Sequence, residues 1–150
     1  MHNEVNFHEY LNDSYEQISQ EERRFYDLFR FELIERSELI RRGFASHDHG
    51  AQRKILKKAL LQMLNFSVSK KAGQYLVNLS LHHKDMSVNR EMFDLFMDCF
   101  TSALVRFNPK LTVLHQLAWR VTLAPGIELM KHSDLLVEKF ESPQEQQKAV

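Results

Sequence analysis

The sequence predicts an all-α protein, on the basis of its turn residues, its apolar spacing and its hydrophobic content. The 150 residues include only 4 Gly and 3 Pro, too few for the tight turns that a β-protein needs. Apolar residues recur at three- and four-residue steps, which is the period of an amphipathic helix. Hydrophobic residues make up 43% of the sequence, enough to bury a core. We expect one domain over residues 1–150, with a core of about 14–132 and a frayed tail after Phe140.

The N-terminal half is predicted to form helices separated by one polar corner. The segment Asn12–Ser14 offers N-cap side chains, and the apolar positions after it predict one or two helices running to about Leu33. The helical stripe continues to Gly43, and the polar segment 45–50 is predicted to be a loop. The clearest amphipathic helix starts at Gln52.

The C-terminal half is predicted to hold three more helices. A break at 67–69 precedes a short helix that ends on the His82–Lys84 segment. A long apolar helix over 92–107 is stopped by Asn108 and Pro109. The last helix covers about 114–129 and contains Pro125 and Gly126, which predict a kink.

The charge balance and the cysteine count limit the classes of function. The 20 Lys and Arg residues are matched by 20 Asp and Glu residues, so the chain lacks the net positive field typical of nucleic-acid and membrane-surface binding. One cysteine, Cys99, excludes an intramolecular disulfide framework. No apolar run approaches about 20 residues, and the polar N-terminus does not resemble a signal peptide. We therefore expect a soluble cytoplasmic protein that binds something small or apolar.

Six to eight helices joined by short corners fit a packing such as the globin fold better than an up-and-down four-helix bundle.

One histidine has neighbours that suggest a metal-binding role. Of the 8 histidines, His83 has Leu79 four residues before it and Val88 five residues after it. This segment resembles the proximal region of bacterial globins. His82 matches neither offset.

Further segments carry the same resemblance. Gln52 lies 31 residues before His83, where this family commonly places its distal polar residue, and Leu56 follows one turn later. Phe44, after Gly43, resembles the phenylalanine that stacks on haem in globins. Segment 118–130 is similar to the last helix of a group of proteobacterial single-domain globins. The chain thus resembles a bacterial single-domain haem globin over most of its length.

This resemblance implies a cofactor and a set of contacts. The cofactor is haem b, an iron protoporphyrin, with His83 as the iron ligand and Phe44 against the porphyrin. Leu56 is implied to lie over the iron. Arg53 is a candidate partner for a haem propionate, with a solvated surface position as the alternative. The other implied haem contacts are Val88 and Phe93.

Two positions depart from the family pattern. Many bacterial globins carry a tyrosine fourteen residues before the stacking phenylalanine, and that position is Arg30 here. Without an alignment gap, Arg30 occupies the distal position or turns to a propionate, whereas a register change brings in Tyr26. Phe93, ten residues after His83, stands where flavohaemoglobin-like proteins carry a tyrosine. The loss of that hydroxyl argues against peroxidase-like chemistry.

The remaining notable side chains have structural interpretations. Cys99 is predicted to be a buried structural thiol, and Trp119 a packing residue. Four histidines share no common face and are predicted to lie at the surface: His47, His49, His115 and His132.

The leading functional prediction is reversible binding of oxygen, nitric oxide or carbon monoxide, with Gln52 and either Arg30 or Tyr26 controlling the sixth iron position. One alternative is a haem-free globin-like sensor or interaction module built around an apolar cavity. Another is a nitric oxide dioxygenase, which requires a separate reductase because the chain has no flavin or nicotinamide module. Gas binding without turnover is the expectation, so no catalytic residue is predicted.

Overall fold

The computed structural model describes residues 4–85 and 88–140, which form eight α-helices and no strands. The predicted all-α class is therefore confirmed. No helix in this part of the chain is long and apolar enough to cross a membrane. In chain order the helices are α1 (Phe7–Gln20), α2 (Glu22–Arg36), α3 (Glu38–Phe44), α4 (His49–Ser69), α5 (Gln74–Asp85), α6 (Arg90–Phe107), α7 (Val113–Lys131) and α8 (Ser133–Phe140).

The first helix begins earlier than predicted. Asn6 caps α1, because its side-chain oxygen accepts hydrogen bonds from the backbone N–H groups of His8 and Glu9. The predicted cap at 12–14 was wrong, since these residues lie inside the helix. Ser14 is accommodated there because its hydroxyl donates to the carbonyl of Tyr10, one turn earlier.

Both ends of α4 also differ from the prediction. The Asp48 carboxylate accepts a hydrogen bond from Ala51 N–H at 2.8 Å and caps the helix. The helix consequently starts at His49, and the loop between α3 and α4 shrinks to residues 45–48, called the corner below. The predicted break at 67–69 was wrong because serine weakens a helix only slightly. The helix ends instead at Lys70, which has a left-handed φ of 57°.

The C-terminal helices agree better with the prediction. The α6 helix begins after the Asn89 cap and ends at Asn108, directly before a proline. Pro125 and Gly126 lie inside α7, as expected. The boundary between α7 and α8 at His132 was not predicted. The predicted fraying after Phe140 falls outside the described residues.

An aromatic cluster joins α2, α6 and α7. The rings of Phe25 and Phe29 in α2 each lie 5.3 Å, centroid to centroid, from the ring of Phe100 in α6. Trp119 of α7 lies 4.8 Å from the same ring. All four side chains are fully buried. Steeply inclined rings at such separations are stabilised beyond their hydrophobic burial, so this cluster fixes the three helices against one another.

Buried polar contacts fix α1 against α7. The indole N–H of Trp119 donates to Ser14 Oγ at 2.7 Å, and this buried ring has the packing role predicted for it. The predicted surface position of His115 was wrong, because this residue is buried. Its Nδ1 accepts from the Thr112 backbone N–H at 2.9 Å, so Nε2 carries the hydrogen and donates to Asp13 Oδ2 at 2.8 Å. A histidine with both nitrogens bonded can be buried in a helix interface.

Candidate functional site

A cavity of about 280 Å³ is enclosed by residues of α2 to α7 together with the corner. Its volume lies near the lower end of the roughly 300–1,000 Å³ typical of small-molecule sites. Three histidines are the only polar side chains among the described residues that line it. The lining consists of Leu33, Leu39, Ile40, Gly43, Phe44, His47, Ile55, Leu56, Ala59, Met63, Leu79, His82, His83, Val88, Met92, Phe93, Phe96 and Met130.

His83 is positioned near the end of α5 by the helix itself. Leu79 lies one turn before it, and both residues line the cavity. The backbone N–H of Val88 donates to the His83 carbonyl at 3.0 Å, which brings Val88 back to the same cavity. The offsets of four and five residues noted in the sequence thus have a structural cause, since all three side chains face one space.

The His83 imidazole is unusually free of polar partners. Its Nδ1 is buried and has no hydrogen-bond partner among the described residues. Burial lowers the pKa of His83 from 6.5 to about 4, and the nearby His82 imidazole contributes in the same direction. The ring therefore stays neutral at neutral pH and keeps a lone pair for a ligand. Phe93 packs beside it, with ring centroids 5.7 Å apart.

Phe44 reaches the cavity from the last turn of α3. It is half-buried and lies next to Gly43, which also lines the cavity. Gln52 ties this turn to α4, because its Nε2 donates to the carbonyls of Phe44 at 2.9 Å and of His47 at 2.8 Å. The side chain of Gln52 is buried but is not part of the cavity lining. Its predicted distal role stays a prediction.

The two predicted arginines engage other groups. Arg53 Nη1 donates to Asp27 Oδ1 at 2.9 Å, an ion pair that favours the surface alternative over a propionate contact. Arg30 Nη1 approaches Gln52 Oε1 to 3.5 Å, while its buried Nε lies 3.7 Å from Asp27 and has no hydrogen-bond partner. Neither arginine lines the cavity. The roles predicted for them toward haem stay predictions.

Tyr26 also lies away from the cavity lining. Its ring is buried and packs edge-on against Phe25, with centroids 5.3 Å apart. Burial raises the pKa of Tyr26, with a smaller contribution from the Glu22 carboxylate. The residue of α2 that does reach the cavity is Leu33, one helical turn after Phe29. The signal for Leu33 in the sequence is its place in the apolar stripe of α2.

The structure thus brings together some of the predicted residues and not others. Phe44, Leu56, His83, Val88 and Phe93 meet at one cavity, whereas Tyr26, Arg30, Gln52 and Arg53 are not among its lining residues. Sequence reasoning missed two exposed histidines that line the cavity, His47 and His82.

The donor set fits haem better than a bare metal ion. Among the described residues no group of three His, Cys, Asp or Glu side chains is placed to hold a metal. A metal at His83 therefore has to bring its other ligands with it, which an iron porphyrin does through its four ring nitrogens. The apolar walls would suit a flat hydrophobic macrocycle, and the unpartnered imidazole of His83 could supply a protein ligand to its metal.

Comparison with known proteins supports the fold. The chain matches no protein-family model and no curated protein sequence. It is similar to a Pseudomonas aeruginosa protein whose crystal structure is described as structurally highly homologous to human hemoglobin. The TM-score is 0.69 at 22% identity, over 85% of this chain and 98% of that chain. The predicted globin fold is therefore confirmed.

Proposed function

We propose that this protein is a haem-binding globin in which His83 ligates the iron of haem b. The observation that carries the proposal is an imidazole with an unpartnered buried nitrogen at the wall of an apolar cavity in a globin fold. Haem, when bound, supplies an iron atom to which a diatomic gas such as oxygen, nitric oxide or carbon monoxide binds reversibly.

The other cavity residues hold and protect the group. Phe44 would contact the bound macrocycle with its ring, at a turn that Gln52 fixes in place. Leu56, Val88 and Phe93 present hydrocarbon to the cavity and would shield a bound macrocycle from water.

The decisive experiment replaces the two adjacent histidines separately. The purified protein, or the protein mixed with hemin, is expected to show a Soret band whose position reports axial imidazole ligation in the ferric, ferrous and carbon monoxide forms. His83→Ala is expected to lose at least about tenfold in haem affinity, because loss of even a residue that supports a metal ligand typically costs about 10–100-fold.

His82→Ala is the matched control, because His82 lines the same cavity but matches neither family offset. It is expected to keep the wild-type spectrum. A protein that takes up no hemin would contradict the proposal, and so would equal spectra for wild type and His83→Ala.

One observation favours a second candidate function. The cavity lining is so poor in polar groups that it also suits a small apolar ligand in the absence of haem. In that case the chain is a haem-free sensor or interaction module. This function would be favoured if the purified protein is colourless, takes up no hemin, and binds a hydrophobic fluorescent dye that fatty acid displaces.

Nitric oxide dioxygenation is a third candidate function. With oxygen and a reductase present, a rate of nitric oxide consumption no faster than that of free hemin would count against it.

A further inference from the structure

We infer that the site binds carbon monoxide and nitric oxide in preference to oxygen. The reason is that no cavity-lining side chain of α2 or α4 can donate a hydrogen bond to oxygen. This inference rests on the proposed haem function and deepens it. Oxygen gains substantial negative charge when it binds a ferrous haem and depends on a donor for its stability, whereas carbon monoxide gains little.

The wall formed by α2 and α4 is hydrocarbon throughout. Leu33 is the residue that α2 contributes to the cavity, and α4 contributes Ile55, Leu56, Ala59 and the thioether of Met63. None of these side chains carries a hydrogen-bond donor. The polar residues of the two helices that were predicted to act at the iron, Gln52, Arg30 and Tyr26, are all outside the lining.

Gln52 already uses both of its donor hydrogens. One is given to the Phe44 carbonyl and the other to the His47 carbonyl, both at distances below 3.0 Å. Its Oε1 faces Arg30 Nη1 at 3.5 Å, which fixes the amide with its donors toward the corner. Turning a donor into the cavity would break both bonds that hold the turn carrying Phe44.

Arg30 and Tyr26 are held in other directions. Arg30 approaches Asp27 and Gln52, its side chain is largely buried, and it is not among the residues that line the cavity. The Tyr26 ring packs on Phe25 in the aromatic core. Neither side chain reaches the cavity in this arrangement.

The two other histidines of the lining do not replace these donors. His82 is adjacent to His83 on α5, with ring centroids 6.4 Å apart, and is exposed. His47 is exposed at the corner and its Nδ1 lies 3.3 Å from Ser46 Oγ. Because both imidazoles are exposed to solvent, water competes for their hydrogen bonds.

The test installs the missing donor and compares it with a matched variant that lacks it. Leu33→Tyr places a hydroxyl at the cavity, and Leu33→Phe places a ring of nearly the same size without the hydroxyl. Oxygen dissociation from the haem-loaded protein is expected to be about ten- to a hundredfold slower in Leu33→Tyr than in Leu33→Phe. The ratio of carbon monoxide to oxygen affinity should fall by the same factor.

The infrared C–O stretch of the carbon monoxide complex supplies an independent readout. In the wild type it is expected at the frequency of an imidazole–haem carbonyl without a hydrogen-bond donor. Gln52→Leu frees the turn that carries Phe44 and is expected to weaken haem binding, but neither Gln52→Leu nor His47→Leu is expected to shift the C–O stretch of the complex. A wild-type stretch at lower frequency that rises in either variant would show that this residue donates, and would overturn the inference. Failure to take up hemin would overturn the proposed function. A shifted C–O stretch in a protein that does take up hemin would overturn only the present inference, so the two failures are distinguishable. Leu56→Gln against Leu56→Met gives a second donor pair if Leu33→Tyr does not fold.

Discussion

The helices α2 and α6 build two regions of opposite character within a few turns of each other. Phe25 and Phe29 of α2 meet Phe100 of α6 in an aromatic core whose rings are fully buried and about 5 Å apart. One turn further along α2, Leu33 faces a cavity of about 280 Å³, and so does Phe93 near the start of α6. The same apolar stripe is therefore filled at one end and open at the other.

This difference shows that apolar spacing and packing are separate properties. Close packing of core rings supplies much of the stability of a small domain. A cavity lined by hydrocarbon loses those contacts, so a protein keeps one where a ligand compensates for it. The aromatic core is thus expected to govern stability, and the cavity to govern ligand binding.

The largest expected effect separates the two regions directly. Phe100→Ala removes the ring at the centre of the aromatic core and is expected to lower the free energy of unfolding by about 3–5 kcal/mol. Phe44→Ala removes a half-buried ring that faces the cavity and is expected to cost only about 1 kcal/mol. Urea unfolding of both variants without added hemin gives the comparison. Equal losses would mean that the cavity wall is as tightly packed as the core.

A smaller effect is expected where the core meets the cavity. A Cβ on Gly126 of α7 would lie 2.7 Å from Cγ and 3.0 Å from Cβ of Met63, whose side chain lines the cavity. Gly126→Ala therefore has to move either α7 or α4, at a cost of about 1–3 kcal/mol. Thermal unfolding measures it.

Gly43→Ala is the matched control, since a Cβ there meets nothing within 4 Å and the glycine is helical. It is expected to stabilise the protein by about 0.5 kcal/mol. A loss at Gly43 as large as that at Gly126 would refute the steric explanation.

A further effect, which depends on pH, is expected at Cys99, a thiol of the aromatic core region. It is fully buried, as predicted, and burial raises its pKa from 9.0 to about 11. The folded state binds the thiol proton more tightly than the unfolded state. Stability from this group is therefore complete below pH 9 and is lost as the pH rises from 9 toward 11. At pH 10 the loss is about 1 kcal/mol.

Unfolding free energies of wild type and Cys99→Ala at pH 7 and pH 10 measure this contribution, because the other titrating groups cancel in the difference. A thiol reagent at pH 8 provides a second readout, with reaction expected only after the protein is unfolded in urea. Rapid labelling of the native protein would place Cys99 in an accessible position and contradict its assignment to the core.

Several helix ends were predicted incorrectly because capping is a competition between nearby side chains. Asn6 was chosen over the segment 12–14, and Asp48 began α4 before Gln52. The side chains of segment 12–14 are acceptors of similar strength to Asn6. The choice between them therefore depends on which start buries the apolar face of the finished helix. The C-terminal ends of α6 and α4 differ in how well the sequence marks them. The proline after Asn108 predicts the end of α6, whereas nothing in the sequence marks the left-handed conformation of Lys70 at the end of α4.

The sequence by itself determined the all-helical class, the apolar stripes and the four-residue offset that sets Leu79 and His83 on one face of α5. These are local properties, because residues a few positions apart on a helix share a direction whatever the helix packs against. Tertiary structure decided that Leu33 rather than Arg30 reaches the cavity, and that Gln52 donates to the corner. The orientation of a long polar side chain follows the strongest partners within its reach, and those partners lie on segments that only the folded chain brings together.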